Sequence, residues 1–226
     1  MPQRHRTRSF DPNRVGALEC RAWVAYYRRR WATLLVASVG LVRAGFGMRW
    51  WPTLKGAWLV LRANQRWAPA DTDPDGARRC MQRFYRLVAA EAGEPLDTTE
   101  AARLEVEWWR LHRERQRGGD SGGDSGGGGG GGGGASGGGA SGGGASGGGG
   151  GSGGQDPLVD ALAALYSFVY RARPDEVRPA ADLRAAAMDV SDRWVAEGCS
   201  LDSPLIAEER SLLVRSYAAL LAAVHR

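Results

Sequence analysis

Apolar side chains recur along most of this chain at intervals of three and four, and no stretch before residue 117 sustains the two-residue alternation of a strand. Punctuation marks where the periods begin. Asp11-Pro12, Asp73-Pro74, Asp156-Pro157 and Ser203-Pro204 each set an oxygen-bearing cap before a proline at the first helical position, where the missing N–H is no loss. Asp97 and Glu100 have the spacing of a capping box, and Pro52 and Pro174 are weaker starts.

From these signals the first helix is expected to run from Pro12 to about Phe46, with Trp23, Tyr27, Trp31, Leu34 and Val42 along its stripe. A second is expected over Pro52–Arg66 with Leu54, Trp58, Leu59 and Leu61 inward. Pro74 to about Ala92 and Thr98 to about Arg115 follow, the latter carrying Ala101, Leu104, Trp108 and Leu111. Beyond residue 155 the pattern predicts helices over Pro157–Arg171, from about Pro179 to Glu197 with Gly198 as C-cap, and from Pro204 to the end, where Ile206, Leu213, Tyr217, Leu220 and Val224 are spaced in heptad fashion. The fold class expected is all-α: about four N-terminal helices, the first long, and about three C-terminal ones.

Between the two sets the composition collapses to glycine, serine and alanine, including a GGGAS repeat. Such a segment buries nothing and behaves as a random coil with an r.m.s. span of about 35 Å. The organisation expected is a disordered basic arm over 1–10, a helical module over 11–117, a disordered linker over 118–155 and a second helical module over 156–226. Each module is near the small end of the domain range, and each is expected to need a partner, which the other module could supply.

The net charge of +5 hides a division. Residues 1–70 carry thirteen Arg or Lys against two acids, whereas 71–117, 118–155 and 156–226 each carry a small negative excess. A basic end points to a polyanion or to the acidic half of the same chain. Arg14, Arg21 and Arg28 are seven apart and share one helix face, with Arg29 and Arg30 at its edge. This row, with the arm RHRTR, makes nucleic acid one expected partner, through charge alone. The apolar run from Trp31 to Val42 is too short to span a bilayer, but with arginines at 28–30 and Arg49-Trp50-Trp51 it has the ingredients of a helix on an anionic membrane surface, over residues 28–51.

Chemistry is harder to find. His5, His112 and His225 are far apart, Glu105 and Glu107 do not reproduce the Glu-x-x-His spacing of di-iron bundles, and no GxSxG, SxxK or phosphate loop occurs. Cys20, Cys80 and Cys199 are odd in number and form no CxxC pair, which favours a reducing cytoplasm. The N-terminal segment runs into Asp11-Pro12 instead of an apolar core, so secretion is not expected. No catalytic residue, cofactor, metal or small-molecule substrate is indicated. The chain is read as a non-enzymatic interaction or scaffold protein, associating with a protein partner or with itself through aromatic-rich helix faces. Nine tryptophans, among them Trp50, Trp51 and Trp109, together with Tyr217 on the heptad-like helix, are the candidates for that contact.

Overall fold

The computed structural model describes residues 9–120 and 156–225, with side chains to 117 in the first stretch. Most of the expected linker, 121–155, and most of the basic arm, 1–8, lie outside the described residues. Eight helices account for the fold: α1 (Pro12–Tyr27), α2 (Trp31–Phe46), α3 (Trp50–Trp67), α4 (Pro74–Ala92), α5 (Thr98–Asp120), α6 (Pro157–Tyr170), α7 (Pro174–Ala196) and α8 (Leu205–Val224). No strand occurs among the described residues.

The Asp-Pro signals act as the sequence predicts. Asp11, Asp73 and Asp156 accept from the backbone N–H of Asn13 at 3.0 Å, Gly76 at 2.7 Å and Leu158 at 2.9 Å. Asp97 likewise accepts from Thr99 and Glu100, but the Glu100 carboxylate turns to Arg103. At the other ends, Gly47 closes α2 and Gly93 closes α4 in the left-handed region.

Three expectations need correction. The long first helix is two helices, so five precede residue 121 instead of four. The break is a Schellman turn: the Arg29 N–H bonds Tyr26 O at 3.0 Å and the Arg30 N–H bonds Ala25 O at 2.8 Å, with Arg29 at φ 55°. Arginine occupies the place that glycine usually marks, so the stop carried no signal. Its side chain compensates by donating to Ala68 O at 2.8 Å. Second, α7 starts at Pro174 and holds Pro179 within it; the carbonyl that Pro179 leaves unmatched belongs to exposed Asp175, where water can serve it. Its C-cap is Glu197, with Gly198 one residue beyond. Third, α3 buries Thr53, Gly56, Ala57, Leu59, Leu61, Ala63 and Trp67, while Leu54 and Trp58 face outward.

Helices from both sides of the glycine segment share one core. Phe10 and Val15, Met81 and Phe84, Trp108 and Trp109 pack in the same cluster as Leu162, Tyr166, Met188 and Leu220. Phe10, which the sequence places in the arm, lies edge-on to Tyr217 at 5.8 Å. The α8 seam is used inside the chain: Leu213 and Leu220 are fully buried, and α8 lies chiefly against α7 and α1.

The α1–α8 crossing is close because Gly16 has no side chain. A Cβ there would stand 2.7 Å from Val214 N and 2.8 Å from Val214 Cα, both backbone atoms that cannot yield alone. Near the same crossing Glu209 is fully buried, and neither carboxyl oxygen has a hydrogen-bond partner in good geometry. Burial, with the Glu19 charge adding to it, raises its pKa to about 8 although Cys20 and Ser191 lie close by.

Two outcomes follow from this crossing. Gly16→Ala is expected to lower stability in urea by about 1–3 kcal/mol, since the two helices must separate to admit a methyl group. Between its ordinary value near 4.5 and about 8, Glu209 keeps in the folded chain a proton that the unfolded chain has released. Stability should therefore fall as pH rises through that window, by a few kcal/mol at roughly 1.4 kcal/mol per pH unit. Denaturation of Glu209→Gln at pH 5 and pH 8.5 checks this: the variant should show a flatter profile and gain on the wild type at the higher pH.

Candidate functional site

Between the eight helices, all of which contribute to its lining, the side chains leave a chamber of about 390 Å³. Its walls are mostly apolar and aromatic, and a few polar groups project among them. The central one is Arg184 of α7, whose side chain is only 10 % exposed. It faces the carboxylate of Glu19 in α1, itself 5 % exposed, in a two-pronged pair: Nη1 donates to Oε2 at 3.2 Å and Nη2 to Oε1. Nη1 also reaches the hydroxyl oxygens of Tyr166 at 3.2 Å and Tyr217 at 3.4 Å.

The guanidinium lies over two indole rings, 5.6 Å from the Trp23 centroid and 5.3 Å from that of Trp108. Burial works against its charge, but Glu19 and the phenols prevail and hold its pKa well above the ordinary value. One donor is left over. Arg184 Nε is buried and has no acceptor.

A second acidic group stands on the wall. Glu105 of α5 accepts from the Tyr85 hydroxyl at 2.7 Å. The Trp108 indole N–H approaches that carboxyl without reaching hydrogen-bond geometry. Burial pushes the pKa of Glu105 up and that of Tyr85 well up. A third group joins three helices: His112 Nε2 is 3.1 Å from Asp192 Oδ2, while Gln116 Nε2 donates to Asp192 Oδ1 at 2.6 Å and to Tyr27 Oη at 3.3 Å. At the Trp67–Ala68 end, Arg113 donates to Trp67 O at 2.7 Å and lies over the Trp67 ring at 4.9 Å.

The residues singled out by sequence scatter. Tyr217 lines the chamber, and Trp109 is buried between Trp67 at 5.7 Å and Trp108 at 5.9 Å, so both are internal and neither is a surface anchor. Arg14, Arg21 and Arg30 are exposed. Arg28 donates to Cys199 O at 3.2 Å, tying α1 to the turn between α7 and α8, and Arg29 is held at Ala68. Trp50 and Trp51 are exposed on α3, far more than any other tryptophan except Trp58.

Glu19, Glu105 and Arg184 were not recognised in the sequence. A signal was there: each is a lone charge on an apolar stripe, Glu19 four residues from Val15 and from Trp23, Arg184 four from Ala180 and from Met188, Glu105 four from Ala101 and from Trp109. Among the described residues no group of three His, Cys, Asp or Glu is placed to hold a metal ion, and no helix is long and apolar enough to cross a membrane.

Removing one partner of the buried pair strands the other. Arg184→Met is expected to cost about 3–5 kcal/mol in urea denaturation, and Glu19→Met a similar amount, whereas the double variant should be more stable than either single one. Strict additivity would show that the two charges do not depend on each other. No family model matches this chain, and neither the curated proteins nor the solved structures include a significant match to it.

Proposed function

We propose that the chain binds a small, largely apolar molecule in the chamber around Arg184, through a neutral oxygen that accepts a hydrogen bond. The observation that carries this reading is the unmatched Nε of Arg184, a buried donor on the wall of an aromatic chamber. A buried N–H without a partner costs on the order of 1–3 kcal/mol, and an acceptor brought in by a ligand recovers it. The volume, about 390 Å³, falls in the range of small-molecule sites, roughly 300–1,000 Å³.

Charge narrows the ligand. Glu19 already neutralises the guanidinium, and Glu105 adds a second carboxyl to the same chamber. At Arg184 itself a ligand carboxylate would compete with Glu19 for one guanidinium, and the other arginines of the lining, Arg29 and Arg113, already donate to the carbonyls of Ala68 and Trp67, so a ketone, amide or hydroxyl oxygen is favoured there over an anion. Rings suit the body of the molecule, because Trp23, Trp108 and Tyr26 offer flat faces and edges. Of the aromatic residues expected to serve a protein partner, Trp109 and the α8 seam are internal, and Trp50 and Trp51 are outward.

Gly45 supplies the test. It lines the chamber, is buried in α2, and a Cβ added there would meet nothing within 4 Å. The probe is 6-propionyl-2-dimethylaminonaphthalene, a neutral naphthyl ketone whose emission reports its surroundings. Saturable binding with a blue shift and a raised melting temperature is expected for the wild-type chain. Gly45→Leu should narrow the chamber, weaken binding of the probe and melt no lower than the parent, since leucine is the better helix former. Absence of saturable binding, or undiminished binding by Gly45→Leu, overturns the proposal.

A further inference from the structure

Six large apolar side chains are exposed among the described residues, and four of them, Trp50, Trp51, Leu54 and Trp58, lie within nine residues of α3. At about 100° per residue they fall with Lys55 and Arg62 in one arc of roughly 140°. Trp51 is 82 % exposed, Trp50 59 % and Trp58 53 %. Single exposed apolar residues are ordinary, but three indoles and a leucine on one face are not. They are not part of the core, which α3 reaches through Thr53, Gly56, Ala57, Leu59, Ala63 and Trp67 on its other side; Leu61, at the Trp50 edge of the arc, is buried against α1 and α2.

The stretch of chain that carries this face has charge of one sign. From residue 20 to residue 70 the chain has nine Arg or Lys and no Asp or Glu. Arg43 of α2 sets its guanidinium over the Trp50 ring at 4.1 Å, joining cation and indole in one surface unit. Arg49 at the head of α3 is paired with Glu91 of α4 at 2.7 Å, leaving Arg43, Lys55 and Arg62 as the cations nearest the rings.

We propose that the outer face of α3 docks on the surface of an anionic lipid bilayer. Indole rings are suited to the headgroup boundary, where one edge is wet and the body is apolar, and the flanking cations meet acidic headgroups. A second copy of the chain fits less well, because the face would meet its own positive charge. The surface overlaps the segment that sequence alone suggested, 28–51, only at Arg43, Trp50 and Trp51: Leu34, Ala37 and Val42 of α2 are buried, and the rest of the face lies further along α3.

The test uses the full chain and vesicles of phosphatidylcholine alone or mixed with phosphatidylserine, separated by flotation. Co-flotation with the mixed vesicles only, with blue-shifted tryptophan emission and weakening as salt rises, is the expected result. Trp51→Ser/Trp58→Ser should weaken partitioning by about tenfold or more. Lys55→Gln and Arg62→Gln should weaken it roughly fivefold each. These side chains are largely exposed, so unchanged thermal melting will verify that the variants are folded.

Failure to float with the mixed vesicles at low salt overturns the proposal. So does undiminished binding by the double tryptophan variant, because a surface that only neutralises phosphate, on lipid or nucleic acid, needs charge and no rings. A dimer in light scattering that the same two substitutions disperse would assign the face to a second copy instead.

Discussion

A guanidinium withdrawn from water must be matched where it lies, and the group that matches Arg184 is a carboxylate 165 residues away in the chain. Neither Glu19 nor Arg184 is tolerable alone in that position, since an uncompensated charge in an apolar interior is among the largest penalties a fold can carry. The pair therefore binds the folding of α1 to that of α7. It does so across the glycine-rich segment, so the two helical groups form one core with a charged centre. The Tyr166 and Tyr217 hydroxyls extend this centre to α6 and α8, so that α6, α7 and α8 are all linked through Arg184 to one side chain of α1.

The same centre explains why a chamber persists. A guanidinium flanked by two indoles is planar and wide, and neighbouring aliphatic chains cannot close over it without losing either the ion pair or the ring contacts. Around it the aromatic residues meet edge to face, as Phe46 and Phe84 do at 5.5 Å and Trp67 and Trp109 at 5.7 Å. Rings held at such angles leave gaps that aliphatic packing would fill. Polar centre and aromatic wall thus arise together, and the space between them is bounded mostly by apolar surface with a few polar groups set into it.

How much of this could be read from the chain depends on whether the cause was local. The Asp-Pro starts were legible because a cap and a fixed φ act within three residues, and α4 begins and ends where its cap and glycine place it. The corner at Arg28–Arg30 was not, because the left-handed residue is an arginine stabilised by Ala68, 39 residues on. The outward turn of Leu54 and Trp58 escaped for a related reason: periodicity shows that a helix has two faces, but the small residues Gly56, Ala57 and Ala63 permit the closer approach of α4 and so decide which face goes in. The chamber was hidden most completely. Its buried charged members, Glu19, Glu105 and Arg184, come from three helices, and each reads singly as a stray charge on an apolar stripe.

The helix ends that flank the glycine-rich stretch are neighbours. Arg115, near the end of α5, reaches the capping carboxylate of Asp156 at 3.0 Å, so the chain leaves one helical group and re-enters the other at almost the same place. The entropy of closing a loop grows with the logarithm of its length, about 0.6 kcal/mol for each doubling. The repeat count of that segment is thus nearly neutral for the stability of the folded part, and its length is free to drift while the two docked ends stay under tight constraint.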